Sequence, residues 1–189
     1  MRHTIFIVPG IFKREGFIER FKNALANDSF EIEVFRVSWL GKDTYQESYE
    51  TLKKKILEQL QKGNKVSLIG TSAGASFVRK LFNDSDLSIS HLVTICGPIR
   101  DTNGLIFCIG KMISPTWKTS LSISTSIGKD RDVRYIHTII PRFDELVPLH
   151  VMKVTGAHEL HIPGVEHLFS ITSATSVYAQ NIAKMIQTI

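Results

Sequence analysis

The chain has 189 residues, 43% of them hydrophobic and 22% charged, with a formal net charge of +5. That composition is ordinary for a globular protein with a sizeable core. No apolar run approaches the roughly 18 residues of a membrane span. The cations are scattered, Lys53-Lys54-Lys55 being a short run that reads as a solvated helix face. Without a basic patch on a recognisable module, no nucleic-acid partner is expected, and the positive balance leaves a mild bias toward anionic substrates or lipid surfaces. Cys96 and Cys108 have no metal-like spacing and read as free buried thiols. The apolar run within Met1–Gly10 is too short for a signal peptide, so a cytoplasmic location is expected.

Taken in order, Thr4 to Val8 is a short apolar strand entering Pro9-Gly10. Its unbroken hydrophobicity suits a strand buried on both faces of a parallel sheet. Phe17, Ile18, Phe21, Ala24 and Leu25 recur at helical spacing, and Glu31 to Val37 alternates as a second strand. From Asp43 to Lys62, apolar Tyr45, Tyr49, Leu52, Ile56 and Leu60 predict an amphipathic helix, with Gly63 as its stop.

Lys65 to Ile69 is the third strand, and it runs into Gly70-Thr71-Ser72-Ala73-Gly74. Ala75, Phe77, Val78, Leu81 and Phe82 then continue at helical spacing. A strand, Gly-x-Ser-x-Gly and a helix make a nucleophile elbow. A serine that must stand clear of its backbone needs a sharp, strained turn, and the residues two before and two after it approach too closely for side chains. The following helix offers its N-terminal N–H groups and dipole to negative charge there. By composition the pentapeptide occurs by chance in about 6% of chains this long, so the rest of the chain must decide its meaning.

Three further strands are expected at His91–Cys96, Arg134–Ile140 and His158–Ile162, with a terminal helix from Leu168 that is either continuous or broken early. Strands and helices alternate throughout. That predicts one α/β domain over residues 1–189: three layers, with a doubly wound, mostly parallel six-stranded sheet and helices on both faces. Residues 99–132 interrupt the rhythm. They read either as the ordinary crossover helix with a long loop, or as a small lid or apolar wall over a site.

Sites in such sheets lie past the carboxyl ends of the strands. Past the first strand stands Gly10-Ile11, past the third Ser72, past the fifth Asp144, and past the sixth His167. A serine hydroxyl needs a base, and a histidine base needs a carboxylate to hold its tautomer. Glu145, Asp130 and Asp132 are alternative acids; His150, His158 and His161 are alternative bases. Neither a Gly-x-Gly-x-x-Gly nor a Gly-x-x-x-x-Gly-Lys-Ser/Thr follows a strand, which disfavours a nucleotide-binding domain.

With these residues in the order Ser72, Asp144, His167, the chain resembles the α/β-hydrolase superfamily, its layout being similar to small bacterial lipases and esterases that lack the first two strands. Asp144 stands three residues before Val147-Pro148, as in the family pattern, and His167 matches the late histidine before the last helix. The resemblance implies an oxyanion hole from the backbone N–H groups of Ile11 and Ala73. Pro9 departs from the histidine that often precedes that glycine. The implied activity is a serine hydrolase working through an acyl-enzyme on carboxylic esters. Alternatives are an amidase, peptidase or thioesterase, or an idle binding protein on the same fold. No metal or organic cofactor is implied, and the expected partner is a small ester or lipid-like molecule. Phe12, Leu105, Phe107, Met112, Trp117 and Val147 are the candidate lining of an apolar acyl pocket.

Overall fold

Why the chain folds around the Ser72 turn is visible in the strand register. In the computed structural model, which describes residues 2–11, 15–26, 29–41, 44–102 and 105–187, six strands form one sheet. They are β1 (His3–Val8), β2 (Phe30–Val34), β3 (Lys65–Thr71), β4 (His91–Ile95), β5 (Ile136–Pro141) and β6 (His158–Ile162). Their order across the sheet is β2-β1-β3-β4-β5-β6, and every pairing is parallel. Crossovers of one hand place helices on both faces.

Alternation along the strands assigns the two cores. Phe6, Val8, Val66, Leu68, Leu92 and Ile140 face one side. That side is covered by α2 (Tyr45–Gln61), α3 (Gly74–Phe82) and α5 (Pro115–Ser126), through Leu52, Phe77 and Leu121. Ile5, Ile7, Ile69, Val93 and Ile139 face the other side. There they meet α1 (Glu15–Leu25) through Phe21 and α7 (Ala179–Gln187) through Ile182. The remaining helices, α4 (Leu105–Ile113) and α6 (His167–Ser176), stand at the carboxyl end of the sheet.

Local chemistry sets several boundaries. Thr44 and Glu47 form a reciprocal capping box at the start of α2. Past its end Gly63 takes φ +77°, a left-handed conformation natural to glycine. The second strand ends at Val34 rather than at the expected Val37, and the expected terminal helix is two helices, α6 and α7. Cys96 and Cys108 are both free; Cys96 is buried as expected, but Cys108 is exposed on α4. No helix of the described residues is long and apolar enough to cross a membrane.

Residues 99–132 divide into two parts. Helix α5 packs against α3, fastened by a buried ion pair in which Arg79 Nε and Nη2 reach Asp130 at 2.8 and 2.7 Å. Arg79 Nη1 also donates to the carbonyls of Ile99 and Ser124. Every strong donor direction is therefore answered, which a buried guanidinium requires. Helix α4 packs on α5 and walls the space beside Ser72.

Candidate active site

Ser72 takes φ +50°, a region that non-glycine residues occupy rarely. Its neighbours make this turn possible. A Cβ on Gly70 would lie 2.6 Å from the Gly74 carbonyl oxygen, and one on Gly74 would lie 2.0 Å from the Val8 carbonyl oxygen. Both positions must therefore lack a side chain for α3 to start against β1 and β3. The turn is pinned on both sides: the Ser72 N–H donates to the Ile95 carbonyl at 3.0 Å, and its carbonyl accepts from the Ala75 N–H at 3.0 Å.

Past β5, Asp144 is buried, and its Oδ1 accepts the backbone N–H groups of Leu146 and Val147 at 2.9 and 2.7 Å. An aspartate has the reach for this local turn, and the turn aims its second oxygen outward. That oxygen, Oδ2, accepts from Nδ1 of His167 at 2.7 Å. His167 is 3% exposed and begins α6; its Nε2 lies 2.9 Å from Ser72 Oγ. With Nδ1–H held by the carboxylate, Nε2 is left to accept the serine proton.

The neighbouring carboxylates are engaged elsewhere. Glu145 accepts the backbone N–H of His167 at 3.0 Å, fixing the start of α6 rather than the imidazole. Glu166 caps the same helix by accepting from the N–H groups of Leu168 and Phe169, first the latter, which hold its pKa below the usual glutamate value. Asp130 pairs with Arg79 and Asp132 with Arg134. Among the rival histidines, His161 contacts Glu159, His158 stacks on His137, and His150 is exposed in a short turn. Buried Cys96, at φ +47°, has its thiol pKa pushed upward by desolvation and by the nearby Asp144 charge, and so stays neutral.

Among the described residues, two cavities flank the Ser72–His167 pair. One, of about 110 Å³, is lined by Ile11, Ala73, Phe107, Gly110, Trp117 and Val147 among others. Neither the Ile11 nor the Ala73 N–H is taken by an acceptor among the described residues. The second, of about 450 Å³, lies between α1 and the start of α6, lined by Gly10, Ile18, Leu168, Phe169 and Ile171.

Of the expected pocket residues, Phe107, Trp117 and Val147 line the smaller cavity. Met112 does not: it is 83% exposed, because the helical repeat that turns Phe107 and Gly110 inward continues to Ile113 instead. Phe12 and the side chain of Leu105 lie outside the described residues. Sequence reading missed Pro98, Gly110, Ile113 and Leu146 in this lining. The three-residue step from Phe107 through Gly110 to Ile113 is the signal that could have found two of them.

No family model matches the chain, and no curated protein matches its sequence. Solved structures do. A lipolytic enzyme of the metagenome-derived pair LipS and LipT aligns over 100% of this chain and 94% of its own, at TM-score 0.75 and 10% identity. The monoacylglycerol lipase of Paleococcus ferrophilus covers 97% of this chain and 94% of its own, at 0.67 and 13%. The thioesterase domain from the curacin biosynthetic pathway covers 99% and 91%, at 0.66 and 12%. The chain therefore has the α/β-hydrolase fold. At such identities the likeness speaks for architecture, and activity must be argued from the site.

Proposed function

We propose that this protein is a serine hydrolase that cleaves carboxylic esters through an acyl-enzyme. The observation that carries this reading is the unbroken hydrogen-bond chain from Ser72 Oγ to His167 Nε2 (2.9 Å) and from His167 Nδ1 to Asp144 Oδ2 (2.7 Å). Ser72 attacks the carbonyl carbon while His167 takes its proton. The same proton then goes to the departing alcohol oxygen, and the acyl group stays on Ser72. A water activated by His167 hydrolyses that acyl-enzyme in the second half. Asp144 holds the Nδ1–H tautomer and stabilises the imidazolium.

The N–H groups of Ile11 and Ala73 receive the oxyanion; one such donor is worth about 3–4 kcal/mol in the transition state. The mostly apolar linings of the two cavities favour a neutral, lipid-like ester over a charged substrate. The fold neighbours named as lipolytic enzyme and lipase point to the same class, and the neighbour named as a thioesterase makes acyl thioesters the second substrate to assay.

The test is labelling with a fluorophosphonate probe. Wild type labels and Ser72→Ala does not, while both keep the same circular dichroism. Folded wild type that fails to label would favour an idle binding protein on this fold.

A further inference from the structure

The two cavities beside Ser72 differ fourfold in volume, at about 110 and 450 Å³, and resting on the serine-hydrolase reading we infer that this difference sorts the two halves of the substrate. The small cavity takes a short acyl chain of about four carbons, and the larger cavity takes a larger apolar alcohol.

Orientation follows from the atoms that must be served. Once Ser72 Oγ has attacked, the oxyanion points to the N–H groups of Ile11 and Ala73. The two remaining substituents are the acyl chain and the leaving oxygen. Ile11 and Ala73 both line the small cavity, so the chain attached to the carbonyl carbon enters there. The leaving oxygen must collect the proton from His167. His167 lines both cavities, and the larger one continues along the first turn of α6 past Leu168 and Phe169, so an alcohol there lies beside its proton donor and has room to extend.

Length is set by Phe107 and Trp117. Their rings, 5.4 Å apart between centroids, are 1% and 7% exposed and wall the small cavity. A Cβ on Gly110 would come 2.2 Å from the Trp117 ring, so α4 sits as close to that indole as a helix can. Both rings belong to the main core cluster, so they do not retreat without displacing core. An apolar protein cavity of about 150 Å³ holds benzene, six carbons, so 110 Å³ accommodates about four.

The decisive experiment measures kcat/KM for two ester series. In one the acyl chain runs from acetyl to dodecanoyl on a constant p-nitrophenol. In the other the alcohol grows on a constant butanoyl group. The expected acyl optimum is near butanoyl, with at least a tenfold fall by octanoyl, while the alcohol series stays flat or rises. Trp117→Leu should raise octanoate hydrolysis relative to butanoate about tenfold and leave the alcohol series unmoved. Ile113→Phe, at the 59% exposed rim of the small cavity, should shift the optimum to acetyl without disturbing the core, and so serves if Trp117→Leu misfolds.

An octanoyl-or-longer optimum in a wild type that labels at Ser72 overturns this inference alone. So does Ile113→Phe or Trp117→Leu changing the alcohol series instead of the acyl series. Absence of both labelling and turnover overturns the underlying reading, and this one with it.

Discussion

At the carboxyl end of the sheet, His167 has both ring nitrogens engaged and its backbone N–H held by Glu145. At the amino end, four other imidazoles stand in a row across the sheet: His3, His91, His137 and His158, each the first or second residue of its strand. Neighbouring rings are 5.3 to 6.5 Å apart, and His91–His137 and His137–His158 are stacked. His3 reaches Ser67, but Nδ1 of His91 and Nδ1 of His137 are buried without a partner among the described residues. One residue type thus does opposite things at the two ends. Where a carboxylate and a hydroxyl answer it, the ring has the partners that the proposed proton transfer requires. Where burial comes without partners, the charged form is disfavoured and the ring is flat packing material.

The sharpest way to break the contrast is to remove the carboxyl-end partner. Asp144→Asn should lower kcat/KM for a butanoate ester by about 10⁴-fold, since the amide favours the wrong imidazole tautomer. The melting temperature should move little, because the amide oxygen can still accept the Leu146 and Val147 N–H groups. A loss under tenfold would mean that another carboxylate supports His167.

The matching change at the amino end should do the reverse. His91→Phe keeps a flat ring in a site that is 4% exposed and removes an unanswered polar atom. Stability by chemical denaturation should rise by about 1 kcal/mol, with ester hydrolysis unchanged. A clear destabilisation would show that the imidazole has a partner that the ring geometry conceals.

Acid should also find the amino end first. Desolvation holds the pKa values of His3, His91 and His137 at about 4, with smaller help from Lys65 at the first two and from neighbouring imidazoles at His91 and His137. An unfolded histidine titrates near 6.5. The unfolded chain therefore binds protons between about pH 6.5 and 4 that the folded chain refuses. Stability is full above that window and falls as pH drops through it. Denaturation midpoints from pH 7.5 to 4.5 should show this decline, with a shallower slope in His91→Phe; equal slopes in the two proteins would remove the imidazole row as its origin.

The smallest effect is expected at Glu145→Gln. Its carboxylate is exposed and holds the His167 backbone N–H, a contact the amide oxygen can replace. A two- to fivefold loss in kcat/KM, about 0.5–1 kcal/mol, would separate an aid to positioning from the role proposed for Asp144.

Much of this was readable before any coordinates. The alternation of strands and helices set the fold class, and Gly70-Thr-Ser72-Ala-Gly74 carried its own explanation, since close packing demands glycines there. Asp144 and His167 could be nominated because parallel strands all end on one edge, so chain order maps onto place. Distinguishing Asp144 from adjacent Glu145 was another matter: both follow the same strand, and which carboxylate meets the imidazole depends on the local turn made with Leu146 and Val147. Met112 was nominated where Ile113 belongs, because both are apolar and one residue apart, and only the seating of α4 on α5 puts Ile113 at the cavity rim and Met112 in solvent.

The imidazole row lay hidden for a different reason. Its members are spread from residue 3 to residue 158, and nothing local links them until strand register lays them side by side. By itself the sequence determined most of the elements, their parallel arrangement and the chemistry available at one edge, because those depend on periodicity and on residues near each other in the chain. The tertiary structure alone decided which atoms meet, how large the two cavities are and which histidines go unanswered, because those depend on packing between segments with no common local signal.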